Sequence, residues 1–155
     1  MYQHVKINMI AGLLLSLMLA PVGSAFAGPL FEIDGEKAFQ NYVHSVVESV
    51  KKEKDPEEKR ALLNESFLDM MAAIDRISAL KTGSDTEKEG LAELRKMIEE
   101  KHNELNGLNG YDPVPASQLD RFADYVQQDL EQADRVLTIS LTTLLLIVII
   151  IILIA

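Results

Sequence analysis

The sequence predicts an all-α fold, an up-down helical bundle of about four helices whose last helix continues into a C-terminal transmembrane helix. Apolar residues recur at spacings of three and four through residues 30–135, which is the period of an amphipathic helix. Capping and turn residues divide that stretch into separate segments. Residues 136–155 contain no charged side chain, and as a helix they would span about 30 Å, the thickness of a bilayer's hydrocarbon core.

Composition restricts the possible partners. The chain has 155 residues, room for one domain and an anchor, and a net charge of −9 from 24 acidic and 15 basic residues. Nucleic-acid binding requires clustered Lys and Arg, so no nucleic-acid partner is expected. Cysteine is absent, which excludes disulfides, thiolate catalysis and cysteine metal sites.

Residues 1–27 have the pattern of a secretory signal peptide. A short basic start at Lys6 precedes an apolar run over residues 7–20, and small residues occupy positions 25 and 27 where a signal peptidase reads the chain. An uncleaved N-terminal membrane helix is the alternative, although the run is short for one. The predicted domains are therefore a signal peptide (1–27), an extracytoplasmic helical domain (28–135) and a transmembrane anchor (136–155).

The first two helices are predicted at about residues 36–52 and 56–81. Asp55 caps the second, Pro56 suits its first position, and Glu58 completes a capping box. The apolar face of the first contains Phe39, Tyr42, Val43, Val46, Val47 and Val50, and the second carries the heptad seam Leu63, Phe67, Met70, Ile74 and Ile77. That seam leaves open an extended coiled coil that oligomerises through the second helix.

The third helix begins after Ser84 or Thr86 and ends near residues 106–107, with the stripe Leu91, Leu94, Ile98, Leu105 and Leu108. Lys101 or His102 interrupts this stripe. The fourth begins near Ser117, and its inner face is Leu119, Phe122, Ala123, Val126, Leu130 and Ala133. No Gly or Pro lies between residues 116 and 155. One unbroken helix of about 39 residues, near 58 Å long, is therefore predicted from the bundle into the membrane.

Residues 106–115 form the one long loop, rich in Gly, Asn and Pro. Alternating helix directions place it at the end far from the membrane. It is either an ordinary connector or a recognition loop, in which case Asn106, Asn109, Tyr111 and Asp112 are the candidate interaction residues. Within the anchor, Thr138 and Thr142 lie one turn apart and are the candidate contacts to another membrane helix.

No pattern indicates catalysis, a cofactor or a metal. Glu99 and His102 have the Glu-x-x-His spacing of di-metal bundles, and His44 lies one turn from Glu48, but neither pair makes a complete site. A solvated helix face is the simpler interpretation. There is no Gly-x-Ser-x-Gly nucleophile motif and no phosphate-binding glycine loop.

The fourth helix is strongly acidic, with Asp120, Asp124, Asp129, Glu131 and Asp134. The functional prediction is a membrane-anchored, non-catalytic interaction protein, an adaptor, assembly factor or accessory subunit of an envelope membrane complex. A protein partner or self-association is expected, at the periplasmic face of a bacterial inner membrane. The alternative is an ion- or ligand-sensing envelope module that uses the acidic helix, and a eukaryotic cell-surface protein is a third possibility.

Overall fold

The computed structural model describes residues 34–80 and 83–154. The predicted signal peptide at residues 1–27 lies outside the described residues. The regular structure within them is helical: α1 (Gly35–Lys52), α2 (Pro56–Ala79), α3 (Asp85–Asn106), a 3-10 turn (Ala116–Gln118), α4 (Leu119–Val136) and α5 (Leu141–Ile154). The predicted all-α helical bundle is confirmed, with five helices rather than four in the described part.

The helix boundaries follow the capping residues of the sequence, although the predicted capping box with Glu58 is wrong, because the Asp55 N–H donates to Glu53 instead. Side chains of Asp34, Asp55 and Ser84 accept hydrogen bonds from the first turns of α1, α2 and α3, which satisfies backbone donors that have no helical partner. Gly107 ends α3 in the left-handed region at φ 68°. The predicted start of the fourth helix at Ser117 is wrong by two residues, because a 3-10 turn comes first and α4 begins at Leu119.

The predicted apolar stripes meet in one core. The complete α2 seam and the complete inner face of α4 are buried, as are four of the six α1 stripe residues, and Tyr42 and Val46 are half-buried. Because the α2 seam faces the core of its own chain, the single-chain bundle is the arrangement that the structure shows. Leu108 departs from the prediction: it lies beyond the end of α3 and is exposed.

Contacts between helix ends give the first four helices their up-down order. At one end, the ammonium groups of Lys51 and Lys59 pair with Asp124 and Asp120 of α4, which joins the end of α1 and the start of α2 to the start of α4. At the other end, Gly35 at the start of α1 and Gly90 in α3 lie against residues 138–141. Successive helices therefore run in opposite directions between these two ends.

The predicted unbroken helix through residues 117–155 is wrong. Helix α4 ends at Val136, Leu137 is extended (φ −86°, ψ 136°), and α5 begins at Leu141. Residues 137–140, here called the junction, separate the two helices. Helix α5 then packs against α1 and α2 and contributes buried Leu144, Ile147, Val148 and Ile151 to the core.

Among the described residues, no helix combines the length and the apolar composition that crossing a bilayer requires. Helix α5 has 14 residues, which corresponds to about 21 Å of helix. The segment predicted as a transmembrane anchor, residues 136–155, therefore contains the last residue of α4, the junction and α5 in this structure.

Two glycines on neighbouring helices make room for the junction. A Cβ atom on Gly35 would lie 1.7 Å from the carbonyl oxygen of Leu141, and one on Gly90 would lie 2.8 Å from that of Thr138. Both distances are below any normal carbon–oxygen contact. The backbone of the junction thus approaches α1 and α3 more closely than any side-chain-bearing residue would allow.

Replacing Gly35 tests this close approach. In an ordinary helix, Gly→Ala stabilises by about 0.5–1 kcal/mol, whereas overpacking costs about 1–3 kcal/mol. We expect Gly35→Ala to lower the free energy of unfolding, measured by chemical denaturation of the full-length protein. Asn41→Ala, at an exposed position of the same helix, is the control and should change it by less than about 0.5 kcal/mol. A stabilised Gly35→Ala protein would contradict the packing of α5 described above.

Candidate functional site

The loop at residues 107–115, here called the tip loop, is fastened to the bundle by one cation. The guanidinium of Arg60 in α2 donates hydrogen bonds to the carbonyl oxygens of Leu105 and Val114, one on each side of the loop. The Val114 side chain is buried, and its backbone N–H reaches the Leu105 carbonyl at 3.4 Å. The loop is therefore anchored at both ends, and only its middle is displayed.

The middle of the tip loop exposes three of the four interaction residues that the sequence predicts. Asn109 has a positive φ of 54°, Tyr111 is 45% exposed, and Asp112 is exposed. The fourth, Asn106, has a structural role, because its Nδ2 donates to Asn64 Oδ1 at 3.0 Å and to the His102 carbonyl at 2.8 Å. Leu108, which the sequence predicts in the core stripe of α3, is 44% exposed and belongs to this displayed surface.

The acidic residues of α4 are largely occupied by interactions within the protein. Asp120, Asp124 and Asp129 pair with Lys59, Lys51 and Lys101 respectively. The carboxylate of Glu131 accepts a hydrogen bond from Gln127 at 2.7 Å, and the Asp134 side chain lies outside what the structure describes. The face proposed for cation sensing is thus an ion-paired face that joins α4 to α1, α2 and α3.

The histidine pairs are not brought together with other ligands. The Glu99 carboxylate accepts from Arg95 at 2.9 Å, and Glu48 lies 3.7 Å from the Lys52 ammonium, so both carboxylates have cationic partners. His44 is exposed, and His102 is half-buried on another helix. Among the described residues, no group of three or more His, Cys, Asp or Glu side chains could hold a metal ion.

Lys101 is a buried cation at a position where the sequence shows only an interruption of the α3 stripe. The residue is 7% exposed. The ammonium lies 2.7 Å from an Asp129 carboxylate oxygen and 3.7 Å from the centroid of the Tyr125 ring. Burial lowers the pKa of Lys101, but the hydrogen bonds to Asp129 and Tyr125 together outweigh this effect. The pKa of Lys101 therefore lies above its ordinary value. This group fastens α3 to α4.

A cavity in the core offers no ligand site. It lies between α1, α2 and α4, with Tyr42, Phe67 and Val126 among its lining residues, and its volume is about 10 Å³. Such a volume is close to the minimum for a single water molecule. Burial, followed by the charges of Asp69 and Glu65, raises the pKa of Tyr42.

The junction is held by a carboxylate from another helix. Glu87, in the first turn of α3, accepts hydrogen bonds from the Ser140 N–H at 3.2 Å and from the Thr143 hydroxyl at 2.5 Å. These bonds, first that of Thr143 and then that of Ser140, hold the pKa of Glu87 below its ordinary value. The carboxylate sits at the N-terminus of α5, where the helix dipole favours negative charge.

The hydroxyls at the junction differ from those expected. Thr138 and Thr142, the predicted contacts to another membrane helix, are exposed, and that role stays a prediction. Ser140 and Thr143 instead make the contacts within the chain, since the Ser140 hydroxyl also accepts from the Thr143 N–H at 3.2 Å. No local sequence signal distinguishes the two pairs, because the selection depends on the position of Glu87.

Helix α5 is apolar on two opposite faces. Its inner face consists of Leu144, Ile147, Val148 and Ile151, all buried. Its outer face, about 180° away at 100° per residue, consists of Thr142, Leu146, Ile149 and Leu153, all exposed. Leu153 is 77% exposed and Ile149 is 42% exposed. A helix that only completes a water-exposed bundle normally has polar residues on its outer face.

The pair of Lys101 and Asp129 yields a stability prediction. Asp129→Asn removes the nearer of two carboxylates from the buried Lys101 ammonium and leaves only Glu104, at 3.7 Å, and the Tyr125 hydroxyl beside it, which is costly because a buried charge with weaker partners is poorly solvated. We expect the free energy of unfolding to fall by about 1–3 kcal/mol, measured by urea denaturation. Lys101→Met should cost less than Asp129→Asn, since it removes the buried charge itself. The opposite order would show that packing by the lysine stem dominates.

Glu87 predicts a pH dependence. Its folded-state pKa lies below the ordinary value of 4.5, so its contribution to stability is complete above pH 4.5 and is lost as the pH falls through the folded-state pKa. We expect the difference in unfolding free energy between wild type and Glu87→Gln to shrink from about pH 6 to about pH 3. Subtracting the Glu87→Gln profile cancels the titration of the other carboxylates. A difference that is constant over this range would contradict the assignment.

Comparison with known proteins does not add to this description. No family model, no curated protein sequence and no solved structure matches the chain. The tip loop, the junction and the outer face of α5 are the candidate functional elements on the basis of their geometry.

Proposed function

We propose that the protein is a membrane-anchored, non-catalytic helical interaction protein, an adaptor, assembly factor or accessory subunit of an envelope membrane complex. The observation that carries the proposal is the outer face of α5, which is apolar and exposed although the opposite face already completes the core. Because this outer face is not buried in the bundle, it does not add apolar burial to the folded protein in water. Its burial would require an apolar surrounding outside the bundle.

Lipid contact would remove the apolar side chains of the outer face of α5 from water. Fully burying a Leu or Ile side chain is worth about 1.5–3 kcal/mol relative to leaving it exposed. The outer face presents Leu146, Ile149 and Leu153, each more than a third exposed. Their transfer into lipid would supply several kcal/mol without any electrostatic contribution. An acidic chain with net charge −9 has little attraction for anionic headgroups, so apolar contact is the expected mode of attachment.

The length of the uncharged segment supports a lipid anchor. As one helix, residues 136–155 would match the hydrocarbon thickness of about 30 Å. Together with the predicted signal peptide, such an anchor would put residues 28–135 outside the cytoplasm, and we propose the periplasmic face of a bacterial inner membrane.

The tip loop supports a role in recognition. It lies at the opposite end of α3 from the junction, about 33 Å away for a 22-residue helix, and it would project away from a membrane that holds α5. Its closure by Arg60 means that little conformational entropy remains to be lost on binding, which favours affinity. Exposed Tyr111 and Leu108 provide the kind of aromatic and apolar contact on which protein interfaces depend.

The charged residues support binding rather than catalysis. The lysines that face α4 are each paired with one of its carboxylates, and these pairs connect helices rather than line a cleft. Groups arranged for catalysis normally converge on a concave pocket. In the described part of the chain, the charged clusters are accounted for by helix packing.

The anchor is tested with two lysines on the outer face. Leu146→Lys combined with Ile149→Lys leaves the inner face intact but puts charges in the apolar segment, at a cost of about 2.5–3.5 kcal/mol each at a bilayer centre. We expect wild type to stay with the membrane on alkaline extraction of its own membranes and the double variant to be released. Leu68→Lys, at an exposed position of α2, is the control and should stay. Release of wild type would contradict the anchor.

The interaction role is tested by crosslinking and purification of the full-length protein from its own membranes. We expect a defined complex that is lost in Leu108→Ser combined with Tyr111→Ser, because these are the displayed apolar side chains of the tip loop. Leu68→Ser is the matched control and should retain the complex. A complex that survives the loop variant would remove the tip loop from the interface, and the absence of any complex would contradict the interaction role.

A further inference from the structure

The structure shows α5 in a position that differs from the one an anchor requires. Docked on the bundle, α5 has 14 residues, about 21 Å of helix against a hydrocarbon core of about 30 Å. Its inner face lies in the protein core. A membrane-spanning anchor needs the whole of residues 136–155 as one helix, with both faces in contact with lipid. These are two different arrangements of the same segment.

The junction carries no local signal that forbids the longer helix. Its residues are Leu137, Thr138, Ile139 and Ser140, and none is Gly or Pro. Helix α3 ends differently, at Gly107 with a left-handed backbone, which is a stop that the residue type itself favours. Helix α4 instead ends in an extended leucine at φ −86°. The Ser140 hydroxyl caps α5 by accepting from the Thr143 N–H, and contacts with other helices add to this cap at the break between α4 and α5.

The contacts of other helices with the junction and the start of α5 are hydrogen bonds and close backbone approaches. Glu87 receives the Ser140 N–H and the Thr143 hydroxyl, and Gly35 and Gly90 admit the backbone of residues 138–141. In water the break costs little, because the Ser140 hydroxyl accepts from the Thr143 N–H in the first turn of α5 and Glu87 accepts from the Ser140 N–H just before it. In lipid, loss of Glu87 would leave the Ser140 N–H without an acceptor at a cost of several kcal/mol, whereas a continuous helix would satisfy it.

We propose that α5 is a releasable anchor with Glu87 as its latch. Docked on α1 and α2, it shields its inner face from water; released, it joins α4 through the junction and inserts into a lipid bilayer. Release uncovers the surface of α1 and α2 that Ile147 and Ile151 help to cover, and this cost keeps α5 docked until lipid is present. The inference rests on the proposed membrane anchor and adds the step by which the anchor is deployed.

A lipid bilayer is the occupant that the segment fits. Beyond Thr142 the outer face is apolar, with Leu146, Ile149 and Leu153 in one row. The inner face is equally apolar, so a released α5 would be hydrophobic on all sides. A partner protein needs one apolar stripe on the helix it binds, whereas lipid surrounds a helix completely. The absence of charge throughout residues 136–155 fits the second case.

The latch is tested by the rate of insertion into vesicles of zwitterionic phosphatidylcholine. The chain has no cysteine, so Leu153→Cys provides a single attachment point for an environment-sensitive fluorophore on the outer face. We expect Glu87→Ala, in the labelled full-length protein, to insert several-fold to tenfold faster than the labelled parent. Glu89→Ala is the matched control: it removes one carboxylate at an exposed position of the same helix, and its rate should be that of the parent.

Locking the docked position is the complementary test. In a second protein, Glu87→Cys combined with Thr143→Cys places two thiols at residues that already contact each other, and a short cleavable bis-maleimide joins them. Flotation with the same vesicles measures insertion. We expect the locked protein to insert at least tenfold more slowly than the unlinked double variant, and cleavage of the linker should restore the rate.

The outcomes separate the latch from the proposed function. Equal insertion by Glu87→Ala and Glu89→Ala, or normal insertion by the locked protein, would show that the anchor acts without release and would overturn the inference alone. If no form inserts, although circular dichroism shows each to be folded, the membrane anchor fails and the inference fails with it. Dimerisation of Glu87→Ala without vesicles, with no gain in insertion, would make a second copy the occupant and overturn the choice of lipid.

Discussion

The structure depends most on the contact between the junction and the starts of α1 and α3. Gly35 and Gly90 let the backbone of residues 138–141 come close, and Glu87 supplies the acceptor that the start of α5 lacks. This contact adds to the burial of apolar side chains that holds α5 against α1 and α2. A core that includes Leu144, Ile147 and Ile151 is therefore secured by a small polar cluster at its edge.

At each end of the bundle, a charged side chain from a neighbouring helix hydrogen-bonds to backbone groups of a connecting segment. At the tip, Arg60 donates to the Leu105 carbonyl in the last turn of α3 and to the Val114 carbonyl on the far side of a loop whose residues favour turns. At the junction, Glu87 accepts from the Ser140 N–H just before a helix that has no glycine or proline before it. The tip loop is thus held by its own turn residues as well as by Arg60, whereas the junction is held by the Ser140 cap and by contacts with other helices.

Much of the fold could be predicted because its determinants are local. Caps at Asp55 and Ser84, the stop at Gly107 and the apolar periods of α1 to α4 all act within a few residues, and the structure confirms them. The candidate surfaces were less accessible. Lys101 looked like an interruption of a stripe, because its partners Tyr125 and Asp129 belong to another helix. Asn106 looked available for recognition, because Asn64 is distant in sequence.

The sequence by itself determined an all-α chain, the start and end of its first three helices to within about two residues, and a C-terminal segment without charge. Only the tertiary structure decided that this segment breaks after Val136 and that one face of α5 enters the core. The reason is that residues 137–140 are compatible with helix, so their own preferences do not choose between a bend and a continuous rod. The choice is made by a carboxylate and two glycines on other helices, which add to the cap that Ser140 gives to α5.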